Sequence, residues 1–297
     1  MFKNITIYRI AAGLPLVPVG ASNPSTFAEC GAIQQKSVGF VPPRGHAHGA
    51  LDEVIDGQHI MAVMIQTKAV PAEAICKRVD AAVAQIEAQT GRKPGKTERR
   101  ELINDAHQAL MPHAFPHSMR IFIWVDPVAG LLVVDSTSKA RLDDVTTLLV
   151  KTFDGLTLQA LCTETAPAAA MAYWLMDKEG PSGFSIDREC ELKACDESKA
   201  VVRYGRHALD TDEVSQHVAM GKMPTRLALT WADRVSYLLT HNLQLKKLAF
   251  LDAVFEGTST NPGDRSEDHF DADVAIATGE LRKLIPALIS ALGGEAR

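Results

Sequence analysis

The run QHIMAVMIQTKAVPAEAICKRVDAAVAQIEAQTGRKPGKTERRELINDAHQAL, residues 58–110, changes its hydrophobic period partway along. Residues 58–66 form an apolar run of strand length. Pro71 then suits the first position of a helix, because its φ is fixed and it has no N–H to leave unpaired. Ile75, Val79, Val83 and Ile86 follow at helical spacing, and the helix is expected to stop near Gly91. Pro94-Gly95 makes a turn. Thr97 starts a second helix whose stripe is Leu102, Ile103, Ala106 and Leu110. The pair reads as a helical hairpin, about 40 residues long, inserted in a strand-rich region.

On the N-terminal side, residues 5–10 and 36–41 read as strands, the second stopped by Pro42-Pro43. Between them, residues 14–24 read as a loop rich in Pro, Gly and Ser, leading to a short helix near 25–30. On the C-terminal side, residues 119–125 and 131–134 form a β-hairpin around Asp126-Pro127-Val128-Ala129-Gly130. A helix follows from Ser138 with Leu142, Val145, Leu148 and Leu149 on its apolar face. Patterning weakens at 166–170, a place for a domain boundary.

Residues 200–204 are expected to be a strand, and Asp210-x-x-Glu213 resembles a capping box for a helix ending at Met220. Residues 226–231 and 235–239 read as adjacent strands, and 258–268 as a polar, acidic loop. The last helix, 279–292, buries Leu281, Leu284, Ile285, Leu288 and Ile289, with Pro286 removing one hydrogen bond inside it. The class is α+β: mixed antiparallel sheets with packed helices and the inserted helical hairpin. The expected division is a central α+β domain (1–70 with 117–165), the hairpin as a tip (71–116) and a C-terminal α+β domain (166–297).

A chain of 297 residues, 46% of them apolar, can bury a sizeable core. No apolar run approaches the roughly 18–20 residues a bilayer demands. Met1-Phe2-Lys3-Asn4-Ile5 alternates like a strand and lacks the apolar stretch of a signal peptide. The five cysteines, Cys30, Cys76, Cys162, Cys190 and Cys195, are odd in number and scattered, which points to reduced thiols in the cytoplasm.

The net charge of −5 excludes a uniformly basic surface. The hairpin is the exception: Arg92, Lys93, Lys96, Arg99 and Arg100 against Glu98 give a local +4, leaving −9 on the rest of the chain. Arg92 and Lys93 follow a helix C-terminus, which favours cations. Lys96, Arg99 and Arg100 start the next helix, where the dipole disfavours them, so phosphate contact is the functional reading and a solvated charged tip the bland one. Further cations are Arg203, Arg206, Lys222, Arg226, Lys246 and Lys247, each ordinary alone.

His46, His48, His113 and His117 lack the convergence of a zinc site, since Pro112 and Pro116 prevent a regular helical pair. Asp264, Glu267, Asp268, Asp271 and Asp273 are a candidate Mg²⁺ cluster for a nuclease, set against loop and capping roles; Asp271 and Asp273 open what reads as a strand-like run. No nucleophile elbow, Walker A loop or dinucleotide fingerprint is present. Phe115, between Pro112 and Pro116, is either a staple on the helix behind it or an aromatic presented to a partner subunit.

Phe2-Lys3-Asn4, Gly39-Phe40-Val41-Pro42-Pro43, the segments 110–115, 124–136, 227–234 and 245–254, and the C-terminal 270–295 together resemble the recombination-associated protein RdgC family, in order along nearly the whole chain. The combination of Trp124-Val125-Asp126, Gly130-Leu131-Leu132-Val133-Val134-Asp135 and a terminal Gly293-Gly294-Glu295-Ala296 is distinctive; Phe40 where tryptophan is expected and Pro286 are departures. The resemblance implies a cytoplasmic, nucleoid-associated, non-enzymatic protein without a cofactor. It implies a ring-shaped homodimer that passes duplex DNA through a basic hole, independent of sequence, and restrains RecA-type recombinase filaments. It places the hairpin cations at the hole and Phe115 near a subunit contact. The alternatives are the metal-dependent nuclease and a protein-interaction module acting directly on the recombinase.

Overall fold

The computed structural model describes residues 1–11, 26–46, 48–255 and 267–296 (for 255 and 267–269, the backbone only). Along the chain these form β1 (Thr6–Arg9), β2 (Lys36–Val41), β3 (Asp52–Ile55), β4 (Gln58–Lys68), α1 (Ala72–Thr90), α2 (Lys96–Leu110), β5 (Pro116–Asp126) and β6 (Leu131–Val134). There follow α3 (Lys139–Thr152), β7 (Gln159–Ala160), α4 (Pro167–Asp177), β8 (Phe184–Ala194), β9 (Val201–Gly205), α5 (Asp212–Ala219), β10 (Lys222–Trp231), β11 (Val235–Thr240), β12 (Leu245–Phe250), α6 (Asp252–Phe255) and α7 (Glu267–Ala291). The fold is α+β with two antiparallel sheets. One has the order β2-β4-β5-β6-β1-β7 with β3 on β4, the other β12-β11-β10-β8-β9. No helix among the described residues is long and apolar enough to cross a membrane.

Two compact units divide the chain: Met1–Ala21 with Pro42–Ala62 and Phe122–Arg297, and Ser22–Val41 with Val63–Ile121. The long strands β4 and β5 run through both.

In the larger unit the five-stranded sheet shares one core with α4, α7 and β1. Leu192, Leu227, Leu229, Leu239, Leu281, Leu284 and Leu288 are buried in it. Each such side chain contributes about 1.5–3 kcal/mol by leaving water. Trp124 packs on Phe2 with ring centroids 6.4 Å apart, and its indole N–H donates to the buried Gln58 Oε1 at 2.8 Å. The Asp126 turn closes on itself: Asp126 Oδ1 accepts the N–H groups of Val128 and Ala129 at 3.0 Å, and Arg282 Nε lies 2.8 Å from the other oxygen. That buried carboxylate is therefore neutralised, as a charge out of water must be.

The smaller unit holds the helical hairpin. Only Val79 of α1 and Ala106 of α2 are buried, with Met111 in the 3-10 turn that follows. The remaining stripe residues Ile75, Val83, Ile86, Leu102 and Leu110 are half-buried and Ile103 is exposed. The two helices thus have little buried core of their own.

Several sequence expectations need correction. The short helix near 25–30 does not form over 26–30. Thr26 bridges parallel to Phe40, and the Phe27 N–H donates to the Phe40 carbonyl at 2.9 Å. Gly39 permits this approach, because a Cβ there would sit 2.4 Å from the Phe27 Cα. Pro71 is the N-cap of α1, one place before the helix. The capping box at Asp210 is absent: Thr211 is the N-cap and makes no side-chain bond, while Glu213 accepts from the Tyr204 hydroxyl at 3.1 Å.

Asp271 and Asp273 lie in α7, not in a strand. Phe270, Val274, Ala277 and Leu281 already repeat at helical spacing, so the helix starts well before Gly279 and continues through Pro286. The loop at 14–24 and residues 258–266 of the acidic loop lie outside the described residues.

Candidate nucleic-acid interface

The hairpin tip is built from two glycines and the charges around them. α1 ends on Gly91 at φ 69, the left-handed conformation that glycine adopts without a Cβ penalty, and the Gly91 N–H returns to the Glu87 carbonyl at 2.9 Å. Gly95, extended at φ −70 and ψ 174, opens α2. Glu98 serves twice: its Oε2 accepts the Gly95 N–H at 3.4 Å and pairs with Arg92 Nη1 at 3.0 Å. Arg99 Nη2 stands 3.9 Å from Asp80 Oδ1, the outer edge of an ion pair between two exposed side chains.

Lys93, Lys96 and Arg100 are exposed and make no ion pair with a described residue. The structure therefore re-sorts the five. Arg92 is committed to Glu98, Arg99 loosely to Asp80, and the other three have no ion-pair partner among the described residues. Lys96 and Arg99 lie in the first turn of α2, with Arg100 next to it, where the N–H groups and positive dipole end favour an anion.

The second group of cations lies on the five-stranded sheet and is built differently. β8 pairs with β9 and β10 so that Glu191 stands opposite Arg203 on one side and Arg226 on the other. Cys190 and Leu192, its neighbours along β8, point into the core, where burial pushes the Cys190 thiol up to about 12. Glu191 Oε2 accepts from Arg203 Nε at 2.7 Å. Its Oε1 accepts from the Thr225 hydroxyl at 2.6 Å and lies 3.8 Å from Arg226 Nε. The Thr225 hydrogen bond, with that of Arg203 and the charges of both arginines, holds the Glu191 carboxyl below its ordinary value despite desolvation.

Two residues along, Glu189 takes Lys247 Nζ at 2.6 Å. Three of the six further cations read from the sequence are thus paired with two carboxylates. Lys222 Nζ lies 2.6 Å from His217 Nδ1, Arg206 is exposed in a left-handed turn at φ 57, and Lys246 is half-buried on β12. Sequence reasoning missed Glu189, Glu191 and Thr225. The available signal was the alternation Glu189, Cys190, Glu191, Leu192, which marks a strand with one charged face.

Phe115 is 93% exposed and follows the 3-10 turn at Met111–His113, so it does not staple the helix behind it. The acids of the nuclease reading do not converge where they are described: Asp271 is held by Arg44 at 2.5 Å, with Phe270 beneath the same guanidinium at 5.0 Å. Asp264 and the side chains of Glu267 and Asp268 lie outside the description. Among the described residues no three His, Cys, Asp or Glu side chains group as a metal site.

The family model described as "Putative exonuclease, RdgC" matches residues 1–295. The chain is 39% identical to the recombination-associated protein RdgC of Herminiimonas arsenicoxydans, covering 99% of this chain and 98% of that one. It is 38% identical to that of Janthinobacterium sp. (strain Marseille) with the same coverage, and 38% identical to that of Bordetella pertussis over 100% and 99%.

Proposed function

This chain belongs to the RdgC family, and from that premise we propose that it is a non-enzymatic protein that binds duplex DNA without reading its sequence. It acts in the cytoplasm on the nucleoid, encircles the duplex as a homodimer and restrains RecA-type filament formation. Its association with recombination is the property of the family.

The single observation that carries the DNA contact is the cluster of unpaired cations at the start of α2. Helix stability does not account for Lys96 and Arg100 there, and a phosphate does. Phosphate contact supplies affinity without sequence information. Phe115, an aromatic almost wholly in water, belongs at the contact between two copies, where such anchors dominate binding energy.

The test is a gel shift on linear and circular duplexes of unrelated sequence, with the molar mass measured in parallel. The expected result is a dimer that retards every linear duplex alike. A monomer, or strong preference for one sequence, would contradict it.

The family model's description favours a second reading, a nuclease using the acids from Asp264 to Asp273. Incubation of DNA with the protein and Mg²⁺ separates the two: intact DNA is expected, and shortened strands would make the chain an enzyme.

A further inference from the structure

We propose that Glu191 is an internal stand-in for a DNA phosphate: it occupies Arg203 and Arg226 and so sets how strongly the outer face of the five-stranded sheet holds DNA. This rests on the DNA-binding reading and adds a regulating residue to it.

The geometry is that of a filled anion site. The order β9-β8-β10 puts one carboxylate between two guanidinium groups in the same row, Arg203–Glu191–Arg226. The two oxygens of Glu191 are used on different partners, as phosphate oxygens would be. The carboxylate itself is only 13% exposed and is fixed from below by the Thr225 hydroxyl. The arginines are open to solvent, Arg203 at 74% and Arg226 at 45%. Each meets Glu191 through Nε, and no bond to their Nη groups is formed with a described residue.

An incoming phosphodiester can therefore reach both arginines from outside, but it must do so against a buried negative charge that cannot move away. Glu189 does the same to Lys247 more weakly, both of its groups being exposed. Across these five side chains the charge is +1; without the two acids it would be +3. The face is consequently a weak, exchangeable contact, which suits a protein that holds DNA of any sequence.

The alternative is that Arg203–Glu191–Arg226 only ties three strands together. The isosteric substitution Glu191→Gln distinguishes the two, because it removes the charge and keeps hydrogen-bonding groups for Thr225 and Arg203. The full-length protein is titrated with a fluorescent duplex over a range of salt. E191Q is expected to bind roughly tenfold more tightly, with a salt slope steeper by one to two units, at about 0.9 per freed guanidinium.

E191Q combined with R203A and R226A should lose that gain. E189Q, which releases only Lys247, should show a smaller gain and gives an independent reading if E191Q does not fold. Unchanged or weaker DNA binding by a folded E191Q overturns the proposal. If wild type then still binds DNA and depends on Arg99 and Arg100, the DNA-binding reading stands without it; if neither chain binds DNA, both fall.

Discussion

The hairpin tip and the outer face of the five-stranded sheet both carry cations and treat them differently. At the tip, five basic side chains share Glu98 and the distant Asp80, and three of them are exposed with no ion pair to a described residue. On the sheet, Arg203 and Arg226 meet Glu191 across neighbouring strands, and Lys247 of β12 reaches Glu189 of β8. The difference means that a count of lysines and arginines does not give the number left unpaired for a phosphate. A cation already paired must exchange partners, whereas a free one releases counterions from DNA at no such cost.

The sharpest break between the regions should come from removing the free cations. Replacing Lys93, Lys96 and Arg100 together by alanine is expected to weaken duplex binding by about two orders of magnitude near physiological salt, measured by fluorescence anisotropy. The loss should be alike for unrelated sequences, because phosphate contacts carry no sequence information. On the sheet, the single change R203A in the wild-type background should weaken binding by less than about threefold, since Glu191 already holds that guanidinium.

Phe115→Ala should leave thermal stability unchanged, because the ring is 93% exposed, and shift the proposed dimer toward monomer in sedimentation. The smallest effect on DNA binding, and a separate one on stability, belongs to Glu280. Its carboxylate takes both Nε and Nη2 of Arg234, at 2.8 and 2.9 Å, and those hydrogen bonds hold it below the ordinary value of 4.5. A carboxyl depressed on folding stabilises the fold above its unfolded pKa and loses that contribution as pH falls through the folded value. Acid titration should therefore show a steeper loss of stability below about pH 4.5 in wild type than in E280Q, with no effect of the change on the neutral-pH salt slope.

The two regions also differ in how legible they were. The tip is local: its turn, its glycines and its charges sit within ten residues, so periodicity and dipole arguments reached them. Even there, the roles of Arg92 and Lys93 had to be separated by the Glu98 contact. The sheet site is assembled by register. Arg203 is 12 residues from Glu191 and Thr225 is 34, and only strand pairing makes them neighbours. β8 went unread although Cys190 and Leu192 alternate with Glu189 and Glu191.

α4 was missed for the reverse reason. Pro167–Asp177 is apolar nearly all round, so it carries no clear stripe. The start of α7 was mistaken because Asp271-Ala272-Asp273-Val274 alternates like a strand. Its helical stripe becomes visible only when Phe270, Val274, Ala277 and Leu281 are taken together.

The most direct test compares the salt dependence of duplex binding in R99A/R100A and R203A/R226A with that of wild type. The account predicts that the hairpin pair lowers the slope of log K against log salt by nearly two units and the sheet pair by less than about one. An unchanged slope in R99A/R100A, or a larger loss in R203A/R226A, would contradict it.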